Sequence, residues 1–272
     1  MHPSLNTQPV WLTFGFWLLF CIFSVHYSYW GVVHYPQWLL LGATVLFGLP
    51  HGLSDPWLWR VTNPSLRLFL VTYLGLFVLC LVFWFYMPMA ALSVFLLLTC
   101  WHFGSDWSEH DGLGLVLGSG LLAWPCYFHP AACTDYLQLI TPAFSTYSLT
   151  TTIAIMCYVS ALSIVFLPRR LVLLAAAVML SAYCLDPLTY FVLYFCTLHS
   201  PSHMYTMYQQ GHLSEHNIVY QCGLFLLSVA LLTVILLFTG LDSSLIPAFF
   251  GFIFSVSVPH ILCVDLLGHR AV

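Results

Sequence analysis

"RLFLVTYLGLFVLCLVFWFYMPMAALSVFLLLTCWHFGS", residues 67–105, decides the fold. Two continuous apolar runs meet at Pro88, and Arg67 is the only residue in them with a permanent charge. A run of about 20 apolar residues is what an α-helix needs to cross about 30 Å of hydrocarbon. Strands of a membrane barrel would instead alternate in segments of about 10 residues. The two runs read as separate spans, near 67–87 and 89–105.

Outward from this pair the pattern repeats. The chain has 272 residues, 61% hydrophobic and 5% charged, with no lysine and five arginines. So few charges do not keep a soluble domain dissolved. The expected fold is all-α: a polytopic membrane helical bundle forming a single integral membrane domain, 1–272. About ten spans are expected, eight to ten if the short fifth and seventh are re-entrant. They lie near 10–33, 37–54, 67–87, 89–105, 113–128, 149–167, 171–185, 187–207, 218–240 and 246–266. Between them, "DPWLWRVTNPS", "SEHDG", "LPRR" and "LDPL" carry turn chemistry, and 129–148 and 208–217 read as linkers. With ten spans, Arg60, Arg67, Arg169, Arg170 and Arg270 all fall on one side. The positive-inside rule makes that side, and both termini, cytoplasmic. The expected location is the cell (inner) membrane, multi-pass, with lipid as the principal surroundings. The absence of a basic patch argues against nucleic acid. The first apolar run lacks a basic leader and a small-residue cleavage site, so it reads as a retained helix. The ten cysteines form no CxxC pair and read as buried reduced thiols.

Against this background the polar residues stand out. "PHGLSD" (50–55), "WHFGSDW" (101–107), "LHSPSHMY" (198–205) and "VPHILCVD" (258–265) each place histidine inside an apolar helix. His51, His102, His199, His203 and His260 all belong to even-numbered spans, near their C-terminal ends, and therefore share one depth. Ionisable groups inside a membrane are costly and mark function. Neutral imidazole is a common metal ligand. His199 and His203, four residues apart, lie on one helix face and are able to grip one ion, with Pro201 between them as a source of distortion. Asp55 and Asp106 follow His51 and His102 by four residues, and Asp265 follows His260 by five. A carboxylate accepting a ring N–H would orient its histidine. Interhelical hydrogen bonds between these groups and solvation at helix ends are the competing readings. Nitrogen ligands without thiolates suit zinc, copper, nickel or iron alike. Part of the aromatic load is a candidate lining for a long conjugated ligand.

The four motifs, in this order along an all-helical membrane chain, resemble the Brp/Blh family of bacterial and archaeal β-carotene 15,15′-dioxygenases. The resemblance runs from about residue 35 to the end. It implies a non-haem iron(II) enzyme that uses O2 to split β-carotene centrally into two molecules of retinal. It further implies Fe(2+) held by His51, His102, His199 and His203, with His260, Asp55, Asp106 and Asp265 behind the ligands or in the pocket. No catalytic residue beyond the ligands is implied. A microbial rhodopsin consuming the retinal is a family-level expectation. Two places depart from the family pattern: "LSDPW" after the PHG motif, and Ser202 where a basic residue is expected. An alternative from another class is a membrane transporter of metal ions or small molecules with intramembrane histidine ligands. A desaturase-type di-iron oxidase, with more histidine boxes, and an inactive carotenoid-binding protein are further rivals.

Overall fold

The structure, a computed structural model, describes residues 5, 15–20, 22, 42–45, 52, 55–62, 65–141, 149–209, 245–267 and short pieces between 219 and 234. Every secondary-structure element among them is helical. The elements that build the site are α1 (Asp55–Thr62), α2 (Leu66–Tyr86), α3 (Pro88–Ser105), α4 (Asp111–Phe128), α5 (Pro130–Ile140), α6 (Thr150–Ser163), α7 (Arg169–Cys184), α8 (Pro187–Tyr194), α9 (Ser200–Gln209) and α10 (Leu245–Ile261).

Local chemistry sets these boundaries. Ser65 caps α2 by accepting a hydrogen bond from the Leu68 amide at 3.2 Å. Met87 alone separates α2 from α3, and Pro88 opens the latter, so the helices begin and end within a residue of the expected 67–87 and 89–105. Asp186 caps α8 through the Leu188 and Thr189 amides, with Pro187 at the first helical position. Two segments read from sequence as connections are helical. "DPWLWRVT" forms α1, and "PAACTDYLQLI", inside the expected 129–148 linker, forms α5. In both, proline at an early helical position is a start signal rather than a loop signal. The expected spans at 10–33, 37–54 and 218–240 lie largely outside the described residues.

Among the described residues, three stretches are long and apolar enough to cross a membrane: Leu66–Tyr86, Pro88–Ser105 and Pro247–Val264. Only 22% of the window in the first is buried, against 67% in the last, so α2 lies at the periphery and α10 inside. The outer face of α2 carries Val71, Leu74, Leu79 and Phe85, all exposed, the distribution expected of a lipid-facing helix. The described residues thus support an all-helical membrane-associated fold with three such spans, and do not by themselves reach ten.

Close packing fixes the rest. α3 and α4 approach through glycine. A Cβ on Gly118 would collide with the Cys100 carbonyl, and one on Gly104 with the backbone of Gly114. Such small-residue contacts let helices pack where lipid gives no hydrophobic drive. One apolar core lies among α4, α6, α7 and α8, around Leu121, Trp124, Leu174 and Val178. A second lies among α2, α3 and α10, around Phe77, Trp84, Leu92 and Phe252. α3 belongs to both, and the polar groups gather at its C-terminal end.

Candidate metal centre

Four helical segments deliver histidine to this end of the bundle. His102 comes from the last turn of α3. His199 ends a π-helical turn, Phe195–His199, between α8 and α9. Pro201 explains that turn: its ring would clash with the Thr197 carbonyl and it has no N–H to donate, so the helix widens just before it. His203 lies one turn on, in α9. His260 lies near the end of α10, beside Pro259, and a second π-helical turn, Leu262–Leu267, follows.

The four rings are 2–4% exposed and adjacent. Ring centres are 4.9 Å apart for His102 and His199, 5.3 Å for His102 and His260, and 5.6 Å for His203 and His260. Imidazoles sharing one tetrahedral ion through metal–nitrogen bonds of about 2 Å hold their ring centres about 5 Å apart. Among the described residues no three His, Cys, Asp or Glu side chains form a closed metal site. His51 lies outside the described residues, so the expected set of His51, His102, His199 and His203 is only partly described.

The carboxylates are arranged differently from the helical back-pairing considered from sequence. Asp106 follows His102 by four residues, yet its Oδ2 accepts from His199 Nδ1 at 2.8 Å and from the Tyr194 hydroxyl at 2.9 Å. The Tyr194 oxygen in turn accepts from Trp107 Nε1 at 3.1 Å. Asp55 accepts from His260 Nδ1, at 2.8 Å to Oδ1 and 3.0 Å to Oδ2, and the Tyr73 hydroxyl lies 3.1 Å from Oδ2. Each carboxylate therefore reaches across to another helix. Asp106 stands at the C-terminal end of α3, where the chain leaves the helix, and Leu5 donates its amide to the Asp106 carbonyl at 2.8 Å. Asp55 opens α1, which packs on the π-turn after α10 and so brings Asp55 beside His260. The side chain of Asp265 lies outside the described residues.

These bonds determine ring chemistry. A carboxylate has only acceptors, so the Nδ1 of His199 and of His260 carries the proton and the lone pair sits on Nε2. Both Nε2 atoms are buried. That donor set fits a divalent transition ion such as iron(II): neutral imidazoles, oriented from behind by carboxylates. Sequence reasoning missed Tyr73 and Tyr194, which complete the two relays from positions with no local motif.

His102, His199 and His260 border a cavity of about 50 Å³. A water needs about 10–15 Å³ of such space, so a few small molecules fit. Phe95, Thr99 and Phe191 line this cavity and also an apolar chamber of about 310 Å³ that continues among α3, α4, α5 and α6. The chamber wall includes Leu122, Leu137, Ile153 and Leu188.

A family model described as beta-carotene 15,15′-dioxygenase matches residues 43–268. The chain belongs to the β-carotene 15,15′-dioxygenase family. The match takes in all four histidine motifs, both carboxylate relays and the apolar chamber, in agreement with the Brp/Blh-type resemblance of the sequence. Curated proteins and solved structures yield no match to the chain. For a β-carotene 15,15′-dioxygenase family member, a histidine-lined cavity beside an apolar chamber is an appropriate arrangement, since the substrate that names the family is a hydrocarbon.

Proposed function

We propose that the protein is a multi-pass enzyme of the inner membrane that cleaves the central 15,15′ double bond of β-carotene with O2, giving two molecules of all-trans-retinal. In this reading the metal is Fe(2+), and His51, His102, His199 and His203 are its ligands. The observation that carries the proposal is the meeting of four buried histidine rings from four helical segments, three of them bordering a cavity that shares Phe95, Thr99 and Phe191 with an apolar chamber. Nothing specific favours the transporter alternative.

When bound, the iron supplies the binding and activation of dioxygen. The chain's own residues do the remaining work. Asp106 and Asp55 hold His199 and His260 in one tautomer and orientation. Phe95 and Phe191 line both the small cavity and the chamber, and so would hold the polyene beside the histidines. The apolar chamber excludes water and takes one arm of the substrate from lipid without desolvation of polar groups. The reaction breaks one C=C bond and forms two C=O bonds, with one atom of O2 in each aldehyde. The overall balance needs no net proton transfer. Positioning of the central double bond is then the protein's main contribution.

Expression in cells that accumulate β-carotene tests the proposal. Loss of orange colour with appearance of retinal supports it. Unchanged carotene in cells that contain the inserted protein rules it out.

A further inference from the structure

The two carboxylate relays share one plan, a buried carboxylate that meets a histidine Nδ1 and a tyrosine hydroxyl, and differ around it: Tyr73 also meets the Val256 carbonyl at 3.3 Å, whereas Tyr194 accepts from Trp107. In one, Tyr194 Oη and His199 Nδ1 donate to Asp106. In the other, the Tyr73 hydroxyl and His260 Nδ1 meet Asp55. Both carboxylates are fully buried, at 2% and 0% exposure. Both histidines present a buried Nε2, and both rings border the same small cavity with His102. His260 lies 5.3 Å from His102 and 5.6 Å from His203, centre to centre, and so stands between two members of the ligand set.

Resting on the metal-centre reading above, we infer that His260 is a further ligand of the metal, through Nε2, and that Asp55 and Tyr73 are its positioning residues. A structural histidine would need only one bond to fix it. The Asp55 carboxylate, buried with a tyrosine hydroxyl and a ring N–H aimed at it, does more. It sets the tautomer so that the lone pair faces the cavity, and it raises the basicity of that nitrogen. Burying such a carboxylate is costly, and the arrangement is repeated at His199, a residue already in the ligand set. The shared histidine–carboxylate–tyrosine plan assigns the same role to both rings. With His260 included, the ligands come from both apolar cores, so metal binding ties α10 to α3 and α9.

Cobalt(II) is the probe, added to the purified, metal-stripped full-length protein in detergent. Its visible absorption changes in intensity and position with the number and type of ligands, independently of turnover. His260→Ala is expected to weaken cobalt binding by more than 100-fold and to alter the absorption of any complex that forms. Asp55→Asn and Tyr73→Phe are expected to weaken binding about 10–100-fold, as for residues behind a ligand. Free imidazole added to His260→Gly is expected to restore the wild-type absorption, a result that a merely structural role does not produce. A folded His260→Ala protein with wild-type affinity and absorption overturns the inference. If that variant does not fold, Asp55→Asn with unchanged cobalt affinity overturns it equally. Wild-type protein that takes up no cobalt, iron or zinc removes the metal centre itself, and this assignment with it.

Discussion

Replacing Asp106 with alanine removes the acceptor shared by two buried donors. Oδ2 lies 2.8 Å from His199 Nδ1 and 2.9 Å from Tyr194 Oη. Neither donor reaches water, since His199 and Tyr194 are each 2% exposed. A buried group left without its partner costs about 1–3 kcal/mol, so two such groups cost about 2–6 kcal/mol. That is a large part of a typical total stability of about 5–15 kcal/mol. Asp106→Asn is expected to be milder, because an amide oxygen still accepts both bonds and loses only their charge assistance, about 1–2 kcal/mol in all. The assay is denaturant or thermal unfolding of the purified protein in detergent, with Asp135→Asn, at an exposed position, as control. The expected order of stability is wild type and Asp135→Asn, then Asp106→Asn, then Asp106→Ala. In a double-mutant cycle, Asp106→Ala and His199→Ala should be strongly non-additive. An Asp106→Ala protein within about 0.5 kcal/mol of wild type, the range of ordinary surface changes, would refute the buried relay.

Three further outcomes are expected. Gly118→Ala drives a methyl group into the Cys100 carbonyl, where backbone cannot yield, and is expected to lower stability by about 1–3 kcal/mol or more, read as a lower unfolding midpoint. His51→Ala, His102→Ala, His199→Ala and His203→Ala are each expected to abolish retinal formation in β-carotene-producing cells while the protein still inserts; full turnover in any one removes that residue from the ligand set. Leu122→Trp, in the wall of the chamber, is expected to reduce cleavage of β-carotene more than cleavage of shorter apocarotenals, measured by chromatography of the products; equal loss on both would mean that the chamber does not hold the substrate's arm.

The candidate site was partly legible along the chain. Histidine inside an apolar helix is conspicuous because burial there is costly, so His102, His199, His203 and His260 could be singled out as one level of one bundle. The widening of the helix at His199 also had a local cause in Pro201. The partners of the carboxylates did not. Asp106 lies four residues from His102 and 93 residues from His199, and it binds the distant one. Asp55 likewise pairs with His260, 205 residues away. Helical spacing says which residues share a face, but not what faces them from another helix. Tyr73 and Tyr194 sat unnoticed for the same reason: a tyrosine in a span reads as ordinary packing until a carboxylate meets its hydroxyl.

By itself, the sequence determined the all-helical membrane character, the boundaries of α2 and α3 to within a residue, and the start of α10, and it singled out His102, His199, His203 and His260, which the structure brings together. Apolar run length, proline and capping chemistry are local properties, and the cost of an ionisable group in hydrocarbon needs no knowledge of neighbours. Tertiary structure alone decided that Asp106 serves His199, that Asp55 serves His260, and that the small cavity lies against the apolar chamber, with Phe95, Thr99 and Phe191 lining both. Those pairings depend on how closely helices approach, which glycines such as Gly104 and Gly118 permit. Contacts between residues 93 and 205 positions apart leave no periodic trace in the chain.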